Sequence, residues 1–179
     1  MMKTSLPYAF GMSLGGALIM LLCYLLGYHN DATRIQSAQT IGMIAGTLVM
    51  IVTLVLGMRA ARSESPTQSL SYGRAIGIGT LICTFSGVMS AAFTYTYGKF
   101  INPEFHQLIY EFQLAKMSEQ MTASQIDQVA PMIRMTTGPG FTAGAQLLFS
   151  PVFGAIASVI VGLFMKRAPK DTPPAVPLG

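Results

Sequence analysis

The stretch Phe141–Met165, FTAGAQLLFSPVFGAIASVIVGLFM, contains no charged residue along its whole length. A helix rises about 1.5 Å per residue, so a stretch of this length covers the hydrocarbon layer of a bilayer, which is about 30 Å thick. A helix at the surface of a soluble protein would instead carry polar side chains at every third or fourth position. The stretch therefore predicts a helix that spans a membrane.

Three further stretches, residues 7–27, 39–58 and 75–98, also lack a charged residue in their middle. Only 10% of the residues are charged, against about 25% in soluble domains. We therefore predict an all-α fold, a four-helix transmembrane bundle that occupies residues 7–166. Residues 1–6 should form a short lead, and the proline-rich residues 167–179 should form a disordered tail.

Basic residues are distributed unequally between the two ends of the predicted spans. One end carries Lys3, Arg59, Arg62, Arg74, Lys166, Arg167 and Lys170. The other end carries fewer basic residues, which are diluted by acidic ones. Because Lys and Arg are enriched on the cytoplasmic side, we expect both termini to lie in the cytoplasm and the protein to reside in the cell inner membrane. Nucleic-acid binding is disfavoured, since the basic residues are few and scattered at helix ends.

Residues 100–140, between the third and fourth spans, form the only sizeable segment predicted outside the membrane and should be extracytoplasmic. Asn102-Pro103-Glu104 is typical of a helix start, with the asparagine as its cap. Apolar side chains then recur at helical spacing on one face: Ile101, Phe105, Leu108, Ile109 and Phe112. This pattern predicts an amphipathic helix.

A second helix start follows within the same segment. Thr122 with Gln125, or Ser124 with Asp127, has the spacing of a capping box, in which two side chains satisfy backbone N–H groups. The segment therefore predicts two short amphipathic helices. They form an outer cap, whose apolar faces rest on the lipid interface or on the end of the bundle.

Small residues recur at four-residue spacing in the predicted spans. They include Gly11, Gly15, Gly42, Gly46, Gly154, Ser158 and Gly162. Such spacing lets helix backbones approach closely in lipid, either within one bundle or between chains. Three consecutive small residues in the fourth span exceed what a single crossing needs. We therefore expect the stripe of Gly154, Ser158 and Gly162 to face a partner, either another membrane helix or a second copy.

Pro151 interrupts the hydrogen bonding of the fourth span. It has no N–H to donate to the carbonyl of Leu147, so it predicts a kink. The hydroxyl of Ser150 or a neighbouring helix could satisfy that carbonyl. The kink is either static or a moving hinge, as in a transporter.

The sequence gives no positive support for catalysis. The polar groups at depth are hydroxyls and the amide of Gln146, without a charged side chain, which argues against proton pumping. His29 and His106 lack the spacing of a metal site and are expected to be solvated or interfacial. Cys23 and Cys83 lie in spans, where they should act as small apolar fillers. We therefore predict no enzyme activity, no cofactor and no metal site.

Short motifs at the ends of the third and fourth spans suggest a family. They are Ser71-Tyr72-Gly73-Arg74-Ala75-Ile76, Ile101-Asn102-Pro103-Glu104-Phe105 and Lys166-Arg167-Ala168-Pro169. Together with four spans, this layout resembles the bacterial membrane family catalogued as domain of unknown function 4199. The resemblance covers nearly the whole chain and implies a four-span membrane fold. That family has no assigned activity or catalytic residues, so the resemblance implies none here.

Two functions remain open on the sequence. The first is a non-enzymatic structural or accessory subunit that packs against lipid, against other membrane helices or against copies of itself. The alternative is a small oligomeric transporter or channel component for a neutral solute. In that case Pro151 and hydroxyls of the third span, such as those of Thr84 and Ser86, would line the path.

Overall fold

The computed structural model describes residues 1–66 and 68–165. Their α-helices are α1 (Met2–Leu25), α2 (Ile35–Ser63), α3 (Tyr72–Thr96), α4 (Phe105–Ser118), α5 (Ala123–Thr137) and α6 (Pro139–Met165). A 3₁₀ turn, Ala32–Arg34, leads into α2, and a π-helical turn, Tyr97–Ile101, extends α3. The predicted disordered tail and the motif that begins at Lys166 lie outside the described residues.

Four helices of the described chain are long and apolar enough to cross a membrane: α1, α2 with its 3₁₀ turn, α3 with its π-helical turn, and α6. The two shorter helices, α4 and α5, connect the third span to the fourth. No strand occurs among residues 1–66 and 68–165. The predicted all-α fold, a four-helix transmembrane bundle with a helical segment before its last span, is confirmed.

Successive spans run in opposite directions, so α2 and α6 run parallel to each other. We call the end of the bundle that carries α4 and α5 the cap end. The tightly packed core lies toward the other end and consists of Ala9, Leu54, Met58, Ala61, Leu70, Ala75, Ile78, Ile82 and Cys83. Hydrophobic side chains therefore fill the half of the bundle away from the cap, and the cavity of about 330 Å³ described below lies in the cap-end half.

Each spanning helix begins before the residue expected from hydropathy. Because α1 begins at Met2, Pro7 lies inside the helix. The connector between α2 and α3 is anchored by Leu70, which is buried in the core. Ser71 caps α3 by accepting a hydrogen bond from the backbone N–H of Arg74 at 3.4 Å. This connector therefore ends in a packed and capped helix start.

Small residues line both sides of the contact between α3 and α6. Four residues of α3, spaced by four, lie opposite four of α6 in antiparallel order: Ala75 by Gly162, Gly79 by Ser158, Cys83 by Gly154, and Gly87 by Ser150. A methyl group added at Gly79, Gly87 or Gly154 would collide with its partner. Since lipid provides no hydrophobic drive, such close backbone packing is the main source of attraction between these helices.

This contact places the stripe of Gly154, Ser158 and Gly162 inside the bundle. All three residues are buried, and the Ser158 hydroxyl donates to the Gly154 carbonyl at 2.5 Å within α6. The stripe was expected to face a partner, but it packs against α3 of the same chain. The reason is that α3 carries a matching face of small residues, in which Ala75 and Cys83 serve alongside glycines.

The first cap helix begins later than the sequence suggests. Its first residue is Phe105, and Asn102 does not cap it, because the Asn102 side chain donates to the His29 carbonyl and to the Tyr97 hydroxyl. Ile101 belongs to the π-helical turn and is 38% exposed, so it does not lie on the apolar face of α4. The half-buried side of α4 includes Phe105, Leu108, Ile109 and Phe112.

The second cap helix begins where the capping box was predicted. The backbone N–H of Thr122 donates to the side-chain oxygen of Gln125 at 2.9 Å, and the reciprocal bond is also present. Of the two alternatives, the box is therefore Thr122 with Gln125. Ile133 is buried on the inner side of α5.

Candidate functional site

A cavity of about 330 Å³ lies in the cap-end half of the bundle. Its walls come from α1, α2, α4 and α6, with Phe105 and Ile109 of α4 forming the cap-end side. The volume is within the range of small-molecule sites, about 300–1,000 Å³. None of its lining residues is Lys, Arg, Asp or Glu.

Three glycines create this space. Gly16, Gly42 and Gly46 line the cavity, and a methyl group added at any of them would meet no atom within 4 Å. The glycines therefore do not serve close helix packing at these positions. Two of them, Gly42 and Gly46, were predicted to be packing or interface residues; within this chain they pack closely against no other helix and lie in the wall of the cavity.

Three polar side chains interrupt the otherwise apolar walls: His29, Gln39 and Gln146. Gln146 also lines a second cavity of about 220 Å³, with Ser86 and Ser150. The side-chain oxygens of Gln146 and Ser150, one helical turn apart, are buried without a hydrogen-bond partner in the protein. A buried polar atom left unsatisfied costs about 1–3 kcal/mol or more. The junction of the two cavities therefore offers hydrogen-bonding capacity that the protein itself does not use.

The structure separates the residues that were proposed to line a solute path. Ser86 lines the second cavity, whereas the Thr84 hydroxyl donates to the Thr80 carbonyl at 2.8 Å and does not line it. The Ser150 hydroxyl points at Gly87, so it does not satisfy the carbonyl of Leu147. α6 remains helical through Pro151, and the kink at that residue stays a prediction.

A buried polar cluster closes the cavity at the cap end. His29 Nδ1 lies 2.7 Å from the Tyr97 hydroxyl, which accepts a hydrogen bond from the Asn102 amide at 3.3 Å. His29 Nδ1 and the Tyr97 hydroxyl therefore share a hydrogen bond. Asn102 also donates to the His29 carbonyl at 3.2 Å. The π-helical turn makes this cluster possible, because it brings Tyr97 and Asn102 together against the loop after α1.

Aromatic rings complete the same region. The Phe105 ring lies 4.4 Å from the His29 ring and 5.4 Å from the Tyr97 ring, centroid to centroid. Edge-to-face and tilted ring pairs of this kind add about 0.5–1.5 kcal/mol each beyond the area they bury. The imidazole of His29 is therefore held by packing as well as by its hydrogen bond.

Burial keeps His29 neutral. Loss of solvation lowers the pKa of its imidazole from 6.5 to about 4. At neutral pH the site therefore contains a hydrogen-bonding ring and no positive charge.

The second histidine is also buried, in the cap. His106 Nδ1 lies 2.5 Å from the carbonyl of Thr137, and Nε2 is buried against Gly98 without a partner. Burial lowers the pKa of His106, and the bond to Thr137 opposes that shift. Both histidines were expected to be solvated or interfacial, but the folding of α4 and of the loop after α1 encloses them.

An apolar groove of about 520 Å³ lies between α2 and α6, toward the end away from the cap. Its lining includes Thr47, Ile51 and Val55 of α2 and Ala157 and Ile160 of α6. The only hydroxyl among these residues, that of Thr47, already donates to the Met43 carbonyl at 2.7 Å. The groove therefore presents an apolar surface to the bilayer.

The remaining predicted glycines differ in their surroundings. A methyl group at Gly15 would lie 2.9 Å from Val49, so Gly15 serves the packing of α1 on α2. Gly11 is exposed, and a methyl group there would meet no atom within 4 Å. Within the described ranges, no three His, Cys, Asp or Glu side chains are grouped as a metal site would require. The polar cavity is thus the candidate site.

Comparison with known proteins gives a family match. The searches of curated proteins and of solved structures found none. The family model described as protein of unknown function (DUF4199) matches residues 7–167, which is most of the chain and includes every residue of the cavity. The protein therefore belongs to the DUF4199 family.

Proposed function

We propose that this protein is a non-enzymatic membrane protein that binds a small uncharged molecule inside its helix bundle. The observation that carries the proposal is the buried carbonyl oxygen of Gln146, which has no partner in the protein and belongs to a residue lining both cavities. A molecule with a hydroxyl or N–H group would satisfy that oxygen. Of the two functions left open by the sequence, this geometry favours the one that involves a neutral solute.

The charge of the site selects against ions. The lining has no Lys, Arg, Asp or Glu, and His29 is neutral above about pH 4. An ion transferred to such a site would lose its solvation without gaining a counter-charge, which costs far more than a hydrogen bond returns. An uncharged molecule avoids this cost.

Filling the cavity tests the proposal. Gly42→Leu should place a side chain in the cavity without displacing protein atoms, whereas Gly11→Leu adds the same side chain to an exposed glycine of α1. Both changes raise helix propensity by about 1 kcal/mol, so their effects on stability are matched. The protein is purified in mild detergent, and the small molecules extracted from it are identified by mass spectrometry. We expect an uncharged compound in the wild type and in Gly11→Leu, and at least tenfold less in Gly42→Leu.

Two outcomes contradict the binding function. One is an equal amount of the compound in Gly42→Leu. The other is the absence of any such compound from the wild-type protein.

A second candidate function, the accessory subunit, is supported by the outward face of α1. Gly11 lies there between exposed apolar side chains, Phe10 and Leu14, and leaves room for a neighbouring helix to approach. The same purification distinguishes the two functions. An accessory subunit would bring a defined membrane protein with it, and the Gly11→Leu variant would lose that protein.

We further propose that the protein resides in the cell inner membrane with both termini in the cytoplasm and the cap end outside. Support comes from the basic residues near the other end of the bundle, among them Lys3, Arg59 and Arg62. Reporter proteins fused to Met1 and to Gly179 should both be active in the cytoplasm. Reporters at the two ends that indicate opposite compartments would contradict this orientation.

A further inference from the structure

We propose that the molecule bound in the cavity is a planar, uncharged heterocycle whose edge carries an N–H group next to a carbonyl group, as in a pyrimidine base. This inference rests on the binding function proposed above and adds the chemical class of the ligand. It concerns the cavity of about 330 Å³ alone. Three features of its walls support it: an unpaired carboxamide, exposed glycine backbone and aromatic rings.

The unpaired carboxamide belongs to Gln146. Its oxygen is buried without a hydrogen-bond partner, and its nitrogen makes no hydrogen bond within residues 1–66 and 68–165. A carboxamide carries an acceptor and a donor side by side in one plane. An N–H group beside a carbonyl satisfies both atoms through two parallel hydrogen bonds, the kind of pairing by which glutamine recognises the edge of adenine. A lone carbonyl group would leave the oxygen of Gln146 unpaired, at the cost of a buried unsatisfied acceptor.

Glycine backbone gives the cavity a flat wall. Gly42 and Gly46 lie one turn apart on α2, and Gly16 lies on α1. A methyl group added at any of the three would meet no atom within 4 Å. Glycine is the residue that lets a ligand approach the backbone closely. Peptide groups exposed in this way form a surface on which a planar ring can lie, whereas a puckered ring would touch it at fewer points.

The cap-end wall is aromatic. Phe105 and His29 both line the cavity, and their ring centroids lie 4.4 Å apart. Aromatic rings attract other rings beyond the area that they bury, which favours a ring-shaped ligand over an open-chain polyol. The amide of Gln39 also lines the cavity and can donate to a second carbonyl on the ring. A pyrimidine base with two carbonyl groups therefore matches the polar and the apolar parts of the wall.

The test uses four probes that are uncharged at neutral pH. Uracil is compared with dihydrouracil, which keeps the N–H and carbonyl edge in a ring that is not planar. Uracil with methyl groups on both ring nitrogens has no N–H and is compared with its isomer, which carries the methyl groups on ring carbons and keeps both N–H groups. Binding is measured by calorimetry on the protein solubilised in mild detergent.

Two variants complete the test. Gln146→Leu replaces the carboxamide with an apolar side chain of similar size. The matched control is Gln36→Leu, because Gln36 is an exposed glutamine of α2 that does not line the cavity. We expect uracil to bind the wild type and the control alike, and to bind Gln146→Leu about tenfold more weakly. The nitrogen-methylated probe should bind the wild type about tenfold more weakly than its isomer, and dihydrouracil more weakly than uracil.

Equal binding of the two methylated isomers, or unchanged binding of uracil to Gln146→Leu, would show that the carboxamide does not pair with the ring edge. Dihydrouracil that bound as tightly as uracil would contradict the planar ring. If uracil did not bind the wild type, the proposed ligand class would be wrong. In each of these cases the binding function would stand, because it fails only on the extraction experiment described above.

Discussion

Alanine in place of Gly79 is expected to lower the stability of the bundle by about 3 kcal/mol, because overpacking of a close contact typically costs 1–3 kcal/mol and this site is among the closest. The added methyl group would collide with the Ser158 side chain and lie 3.1 Å from Leu54. Ser158 and Leu54 have no free space to move into, since both are fully buried. The helices must therefore separate, and the contact between α3 and α6 would be lost along its length.

The measurement uses the two cysteines of the described chain. Cys23 and Cys83 are both buried and free, so a thiol-reactive dye reports unfolding as the temperature rises. We expect the thermal midpoint of Gly79→Ala to fall by about 10 °C. The matched control is Gly144→Ala on α6, where an added methyl group meets nothing within 4 Å. That change should stabilise the helix by up to about 1 kcal/mol.

A compensating change separates a packing effect from an unrelated loss of stability. Ser158→Gly removes the atoms with which the new methyl group would collide. In the combination of Gly79→Ala with Ser158→Gly, most of the lost stability should return, giving a coupling energy of about 1–2 kcal/mol. If the double variant were no more stable than the sum of the single variants predicts, the proposed pairing of these residues would be wrong.

The four spans were predictable because each is a long run of residues without charge, and lipid accepts nothing else at that length. The helix against which each stripe of small residues packs was not predictable. Gly154, Ser158 and Gly162 were recognisable as a stripe, but the matching face on α3 contains Ala75 and Cys83, which a search for glycine and serine overlooks. Counting alanine and cysteine as small residues at four-residue spacing would have revealed the antiparallel match.

The candidate site was less accessible to sequence reasoning. Gln146 could be noted as an amide at depth, yet the cavity beside it exists because glycines of two other helices, Gly16 and Gly42, face the same space. Whether these glycines face one space depends on the rotation of each helix about its axis. The apolar spans have no clear polar face, so the spacing of residues in the sequence does not define that rotation. The burial of His29 likewise depends on the π-helical turn, which places Tyr97 and Asn102 next to it. Asn102 looks like a helix cap in the sequence, and it is used instead to hold a loop.

Lowering the pH from 7 to about 4.5 is expected to destabilise the protein by about 2 kcal/mol through His29 alone. In the native state the pKa of His29 is lowered to about 4 from its ordinary value of 6.5, because burial opposes the charged form. His29 therefore binds a proton near pH 6.5 in the unfolded chain but only near pH 4 in the native chain. Stability falls as the pH decreases through this window and levels off below it.

Two neighbouring groups bear on the size of the effect. His106 also has a lowered pKa because of burial, so it adds to the loss in the same direction. Asp31 has a lowered pKa because its carboxylate accepts hydrogen bonds from Thr33, so it titrates below the ordinary value of 3.8 and outside the window. The total slope therefore exceeds the contribution of His29, and a variant is needed to isolate it.

His29→Gln provides that variant, because glutamine does not titrate and can still form a hydrogen bond with Tyr97. Thermal unfolding followed by circular dichroism at pH 7 and at pH 4.5 gives the pH dependence of each protein. The wild type should lose about 2 kcal/mol more than His29→Gln between these two values. Equal losses in both proteins would mean that protonation of His29 costs the fold nothing, and hence that the loop opens to water in the native state. In that case the cavity would have no closed cap end, and an uncharged site could not be maintained there.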